Sequence, residues 1–139
     1  MLIKPFPEIN NVHSISIALP GFSDLITSNL YVVGNGPVTL IDTGPKFPGS
    51  FESILKEFEH AGLRISDIER IIITHGHVDH FGLAGKIIEI RADIPIILCT
   101  GFSEVITREL AVSLGIKGYL HKPVSMHEMA RSIRKVLDA

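Results

Sequence analysis

Apolar residues in the first third of the chain follow the two-residue period of β-strands. Isoleucine and leucine alternate with polar residues over Val12–Leu19, which predicts a half-buried strand. Two further apolar runs, 29–33 and 38–41, flank the pair Asn35-Gly36. Both residues of an Asn-Gly pair tolerate a positive φ, so the pair between such runs predicts a β-hairpin.

Beyond residue 50, short apolar runs alternate with segments in which apolar residues recur every three or four positions. Buried strands are predicted at 71–73, 94–99 and 118–120, and helices at 51–58, 81–91, 105–114 and 125–137. Ser50 is the predicted cap of the first helix and Gly62 its stop, while Ser125 and Glu128 form a capping box before the last helix. In that last helix we expect Met126, Met129, Ala130, Ile133 and Val136 to line one inward face.

Strands that alternate with helices of this length pair in parallel through right-handed crossovers. The predicted fold is therefore α/β, with a single mixed, mostly parallel sheet, helices on both faces, and the antiparallel hairpin at one edge. Ligands of such sheets bind at the carboxyl ends of the strands. The residues predicted at those ends are Asp42, Thr74, His75, Thr100, His121 and Lys122.

Composition narrows the class of protein. A length of 139 residues with 45% hydrophobic residues predicts one folded domain, 1–139, rather than a disordered chain. The formal net charge of −2 indicates no nucleic-acid partner, and no apolar run is long enough for a membrane span. The single cysteine, Cys99, excludes an internal disulfide and a cysteine-rich zinc module. With Pro5 and Pro7 near the start, we expect no signal peptide and a cytoplasmic protein.

The most informative stretch is a histidine cluster directly after the strand 71–73. Three histidines and an aspartate, His75, His77, Asp79 and His80, fall within six residues, and Gly76 permits a tight loop between them. Imidazole nitrogens suit zinc and other divalent transition metals, and a carboxylate adds a hard oxygen ligand. The cluster therefore predicts a metal site.

This H-x-H-x-D-H pattern, followed by Gly82, resembles the signature of the metallo-β-lactamase fold superfamily. The upstream segments 29–33 and 40–44 also resemble the amino-terminal segments of that family, and the resemblance covers about residues 10–86. It implies that one metal is held by the first two histidines and a second by Asp79 and His80, with Asp42 as a supporting carboxylate. It also implies hydrolysis of esters, thioesters, lactams or phosphodiesters, in which Asp79 would orient the attacking water.

The later ligands of that family have no matching context in this chain. His121 is the predicted substitute ligand, since it is a later histidine expected at a strand end on the same edge. Catalytic zinc usually has three protein ligands and a water. We therefore expect zinc, or another divalent transition metal, to be incompletely coordinated and hydrolysis to be weak or absent.

The second half, about residues 85–139, resembles a response-regulator receiver domain, with flavodoxin-like βα repeats. The matching order is strand 94–99, Thr100, helix, strand 118–120, Lys122-Pro123 and helix. In receivers the threonine and the lysine contact the phosphoryl group, so both would be remnants here. When the two families are aligned by βα order, His75 falls where the phosphoacceptor aspartate is expected.

The two resemblances together suggest a chimeric domain, with a metallo-β-lactamase-like half at 1–86 and a receiver-like half at 87–139. Three functions stay open. The first is a partial metallo-hydrolase acting on a small-molecule ester or phosphodiester. The second is a recombined or designed chain with an inert inherited motif, and the third is a receiver-like signalling module without its phosphoacceptor. The sequence decides neither the substrate nor the oligomeric state.

Overall fold

The described part of the chain contains seven strands in one sheet, and their order in space is their order along the chain. The computed structural model describes residues 3–5, 11–18, 27–35, 37–75, 81–101 and 107–138. The strands are β1 (Ile3–Pro5), β2 (Val12–Ala18), β3 (Thr27–Val33), β4 (Val38–Ile41), β5 (Ile68–Ile73), β6 (Ile96–Thr100) and β7 (Gly118–His121). Strands β1 to β4 pair antiparallel and β4 to β7 pair parallel, so the predicted mixed sheet with its antiparallel edge is confirmed.

Among the described residues, three helices and one 3₁₀ turn lie between the parallel strands, and a fourth helix follows the last strand. The helices are α1 (Ser50–His60), α2 (Ala84–Ile90), α3 (Arg108–Ser113) and α4 (Met126–Leu137), and the 3₁₀ turn is Ile65–Asp67. Helix α4 begins at the predicted capping box, in which the Glu128 amide donates to the Ser125 hydroxyl and the Glu128 carboxylate accepts from Ser125. Within the described ranges, no helix is long and apolar enough to cross a bilayer.

The hydrophobic core lies on one face of the sheet, which we call the core face. Strands β2 and β3 contribute Ile15 and Leu30, which are opposite each other in the register and are fully buried. Helix α1 adds Ile54 and Phe58, and helix α2 adds Ile87. Burying side chains of this size stabilises the fold by about 1.5–3 kcal/mol each.

The opposite face, which we call the second face, is covered at the β6–β7 end by helix α4. A Cβ at Gly118 would lie 3.0 Å from the Ile97 side chain and 3.1 Å from the Ser132 hydroxyl of α4, so the helix approaches the strand backbone closely there. All five residues of β6 are buried. A strand buried on both faces has a continuous apolar run in its sequence, as predicted here.

Several predicted boundaries are wrong. The cap of α1 is Gly49, with φ of 83°, and Ser50 is the first helical residue. Helix α2 begins at Ala84 rather than at 81, and β5 begins three residues before the predicted strand. In α4, Met126 is 88% exposed and Ala130 is exposed as well, so neither belongs to the inward face. Leu19, the predicted end of the first strand, and Gly36, of the predicted hairpin turn, lie outside the described residues.

Candidate metal centre

The candidate site begins at a sharp turn after β4. Asp42 has a positive φ of 61° and Gly44 a φ of 79°. A Cβ at Gly44 would lie 2.7 Å from the Ile17 Cδ1 atom, so both the backbone conformation and the packing require glycine. The turn leaves Asp42 4% exposed and Thr43 fully buried at the carboxyl end of the sheet.

Asp42 is tied to the end of the neighbouring strand, β5. Its amide donates to the Ile72 carbonyl at 2.9 Å. Its carboxylate accepts two hydrogen bonds from Thr74, one from the amide at 2.7 Å and one from the hydroxyl at 2.7 Å. Both carboxylate oxygens are therefore used to hold the first residue after β5, which is the residue before the histidine cluster.

The same threonine hydroxyl contacts the first histidine of the cluster. The Thr74 Oγ1 atom lies 2.9 Å from His75 Nδ1. A hydroxyl carries one proton, and Thr74 donates it to the Asp42 carboxylate, which only accepts. The contact with His75 therefore requires a proton on Nδ1. This assigns the Nδ1–H tautomer and makes Nε2 the nitrogen that can coordinate a cation.

Thr43 contacts the chain on the other side of the histidine cluster. Its hydroxyl accepts a hydrogen bond at 3.2 Å from the amide of Leu83, the residue that caps α2. Two consecutive residues, Asp42 and Thr43, thus fix the chain on both sides of the segment 76–80. We call these two residues the loop anchors.

The predicted ligands divide into two groups. His75 is half-buried and placed as described, whereas His77, Asp79 and His80 lie outside the described residues. Among the residues that are described, no three His, Cys, Asp or Glu side chains form a group that could hold a metal. The ligand roles of these four residues stay predictions.

The remaining predicted site residues lie along the same edge of the sheet. His121 is exposed on β7 and its ring lies 5.1 Å from the ring of Tyr119, edge to face. Since neighbouring strands are about 4.8 Å apart, β7 lies roughly 10 Å from β5. Thr100 is 1% exposed, and its hydroxyl donates to the Gly101 carbonyl at 3.3 Å. The roles predicted for these residues, and for Lys122, stay predictions.

Cys99 lies beneath this edge and is 5% exposed. Burial raises the pKa of its thiol, while the nearby Lys122 ammonium acts in the opposite direction and the Asp42 carboxylate adds to the increase. Lys122 and Asp42 are therefore both close enough to Cys99 to act on its charge.

Sequence reasoning missed the loop anchor Thr43. The residue that it binds is 40 positions away, and no local pattern indicates such a contact. Thr74 was predicted at a strand end, but its bonds to Asp42 and His75 become visible only when β4 and β5 are seen as neighbours.

Comparison with known proteins agrees with the amino-terminal resemblance. The chain is 34% identical over 84 residues to ribonuclease J of Mycobacterium tuberculosis, which is 58% of this chain and 15% of that protein. A metallo-beta-lactamase family protein from Thermus thermophilus superposes with a TM-score of 0.52 at 29% identity, covering 59% of this chain and 27% of that one. A beta-lactamase domain protein from Burkholderia ambifaria gives a TM-score of 0.51 at 25% identity, covering 71% and 30%. The chain thus spans less than a third of each of these three proteins.

The family model that matches this chain extends over most of the site and the parallel sheet. It describes the metallo-beta-lactamase superfamily and matches residues 24–116, a range that contains the loop anchors, the histidine cluster and β6. The match continues past residue 86, the predicted boundary between two parents, so residues 87–116 of the predicted receiver-like half match the metallo-beta-lactamase model instead. The receiver-like resemblance and the chimera stay predictions. The chain belongs to the metallo-beta-lactamase superfamily.

Proposed function

We propose that this chain binds zinc, or another divalent transition metal, at residues 75–80 and hydrolyses an ester or a phosphodiester slowly. The observation that carries the proposal is the hydrogen-bonded series from Asp42 through Thr74 to His75. Histidines that ligate metals are usually oriented by a bond to the second ring nitrogen, and such a bond also fixes the tautomer. Membership of the superfamily supports the same proposal.

The proposed ligands have donor atoms that suit zinc. Three imidazoles and one carboxylate, from His75, His77, Asp79 and His80, supply nitrogen and oxygen donors. In this proposal Asp42 supports the site through Thr74, from which both of its carboxylate oxygens accept a hydrogen bond. His121 would be an additional ligand only if the edge strand β7 approached the cluster.

Zinc at such a site supplies Lewis acidity and lowers the pKa of a coordinated water. The residues of the chain would provide the remaining parts of the reaction. Thr74 keeps His75 in one orientation, and Asp79 orients the attacking water and accepts its proton. The name of the mycobacterial relative, a ribonuclease, supports a phosphodiester as one of the two bond types. We expect slow turnover, because two histidines on one metal are fewer than the three protein ligands that catalytic zinc usually has.

The experiment is a measurement of zinc content after dialysis against buffer without chelator. The double variant with His75→Ala and His77→Ala is compared with the wild type and with a control double variant, His60→Ala and His127→Ala. Both control histidines are exposed and lie outside the cluster. We expect about one zinc per chain in the wild type and the control, and loss of zinc in the test variant. Equal zinc in all three proteins would overturn the proposal.

The alternative is that the motif is inherited but inert. A metal that binds only the native state stabilises it by RT ln(1 + [L]/Kd), which is about 2.7 kcal/mol at a metal concentration 100 times Kd. Thermal unfolding with zinc and with chelator therefore separates the two functions. An unchanged midpoint at saturating zinc supports the inert motif.

For the carboxy-terminal segment we propose a receiver-like origin, without receiver signalling. Of the predicted receiver-like half, 87–139, residues 87–116 lie within the matched family range and 117–139 lie beyond it. The support for a receiver-like origin is the order of strand β7, Lys122 and helix α4 in that last part. Incubation with acetyl phosphate tests the signalling part. We expect no phosphorylated residue by mass spectrometry, because His75 stands where the phosphoacceptor is expected, whereas a labelled residue would restore the signalling function.

A further inference from the structure

A cavity of about 530 Å³ lies on the second face of the sheet, beneath the connection from β7 to α4. Its walls are mostly apolar and comprise Ile41, Ile72, Cys99, Pro123, Val124 and Met129, and two polar residues, Thr74 and Lys122, complete the lining. The volume lies within the range of about 300–1,000 Å³ typical of small-molecule sites. Among the described residues, helix α4 covers the β6–β7 end of this face, and the cavity lies beside it.

The cavity shares a residue with the candidate metal centre. Thr74 lines the cavity, and its hydroxyl contacts both the Asp42 carboxylate and His75 Nδ1. A molecule that fills the cavity therefore ends beside the first residue of the histidine cluster. The other apolar walls, from β4, β5 and β6, run from that point along the second face of the sheet.

Lys122 supplies the positive charge of the cavity. Its side chain is exposed, and within the described part of the chain its ammonium forms neither a hydrogen bond nor an ion pair. Both Lys122 and Cys99 line the cavity, and the Lys122 ammonium is close enough to lower the pKa of the Cys99 thiol. An apolar cavity with one cation at its rim is complementary to an amphiphilic anion.

We propose that this cavity binds the unbranched apolar chain of a carboxylate, the acid that hydrolysis of the corresponding ester releases, with the Lys122 ammonium attracting its anionic end. The inference rests on the proposed function, since it makes carboxylic esters with a chain of medium length the substrate class of the adjacent metal centre. The apolar walls would accept the chain, and Thr74 would mark the end of the cavity nearest to the cluster. Each added CH₂ that becomes buried should tighten binding about two- to fourfold, until the cavity is full.

The test is calorimetric titration of the metal-free protein, in EDTA, with hexanoate, octanoate and decanoate. We expect the dissociation constant to fall from the six-carbon to the ten-carbon chain. Met129→Trp fills the cavity and should weaken decanoate binding at least tenfold, while Met126→Trp, at an 88% exposed position of the same helix, should leave it unchanged. Lys122→Met should weaken binding of decanoate several-fold but not binding of decanol, and Lys56→Met, at an exposed position of α1, is its control.

A second measurement uses wild-type protein and remains valid if a variant fails to fold. Cys99 is the chain's one cysteine and lines the cavity, so decanoate should slow its modification by a thiol reagent, and acetate should not. Dissociation constants that do not depend on chain length, or equal modification rates with decanoate and acetate, would overturn the inference.

Different results would refute the proposed ligand of the cavity and the proposed function. Decanoate binding without zinc binding or ester hydrolysis would leave the cavity intact and refute the proposed function. Zinc binding with hydrolysis of acetate esters, but with no preference for octanoate esters, would leave the function intact and refute the cavity.

Discussion

Replacing Thr43, one of the two loop anchors, by valine should remove its hydrogen bond with Leu83 without opening a cavity. Valine has nearly the same shape as threonine but lacks the hydroxyl that accepts from the Leu83 amide at 3.2 Å. Thr43 is 0% exposed and Leu83 is 2% exposed, so water cannot take the place of the lost acceptor. A buried amide that loses its partner costs about 1–3 kcal/mol.

Urea unfolding measures this cost. With a denaturant slope of about 2 kcal/mol per molar, a loss of about 2 kcal/mol moves the midpoint down by roughly 1 M. Thr43→Ser is the matched control, because it keeps the acceptor and loses only a methyl group, at a cost of about 1 kcal/mol. The reasoning is refuted if the valine variant is as stable as the wild type, or if the serine variant loses more.

The same pair of variants tests whether the anchor positions the histidine cluster. Loss of a residue that orients metal ligands typically costs about 10- to 100-fold in metal affinity. We therefore expect zinc to bind at least tenfold more weakly to Thr43→Val than to Thr43→Ser, at a temperature where both are folded. Equal zinc affinity in the two variants would limit Thr43 to a structural role.

Three further outcomes follow from described contacts. Gly44→Ala should lower the free energy of unfolding in urea by about 2–5 kcal/mol, because the added Cβ would lie 2.7 Å from the Ile17 Cδ1 atom and the backbone has a left-handed conformation. A cost below about 1 kcal/mol would contradict this packing. Since burial raises the pKa of the Cys99 thiol, its reaction with a thiol reagent should keep accelerating at pH values above the pKa of a free cysteine, about 8.5, whereas a plateau at that pH would contradict the assignment. The Ser125 amide and hydroxyl lower the pKa of Glu128, so its stabilising effect is present above the unfolded pKa of about 4.3 and is lost as pH falls. Glu128→Gln should therefore lower the melting temperature at pH 6 but not at pH 3, and equal differences at both values would exclude the linkage.

The sheet was predictable where hydrophobic periodicity is strong. Alternation over β2 and an unbroken apolar run at β6 correspond to half-buried and fully buried strands, as the burial of Ile15 and of all five residues of β6 shows. The start of α4 was predictable from its capping box, because the two residues of the box, Ser125 and Glu128, lie within four positions of each other in the sequence. Capping chemistry misplaced the cap of α1, because Gly49 can adopt the left-handed conformation that precedes the helix and no serine bond is needed.

The candidate site was predictable only in part. The strand-end positions of Asp42, Thr74 and His75 followed from βα order, and the structure brings these three residues into one hydrogen-bonded series. The bond from Leu83 to Thr43 depends on packing between α2 and the turn after β4, which no sequence period reports. The cavity on the second face was not foreseen either, since its walls come from β4, β5, β6 and α4.

The central claim is that Asp42 and Thr74 hold His75 as the Nδ1–H tautomer, which presents Nε2 to a metal. Long-range ¹⁵N–¹H correlation of the imidazoles during a zinc titration measures this directly. The account predicts a protonated Nδ1 on His75 before and after zinc, with a shift of its Nε2 resonance that is complete at about one equivalent. Coordination of zinc through Nδ1, or imidazole resonances that do not respond to zinc, would contradict it.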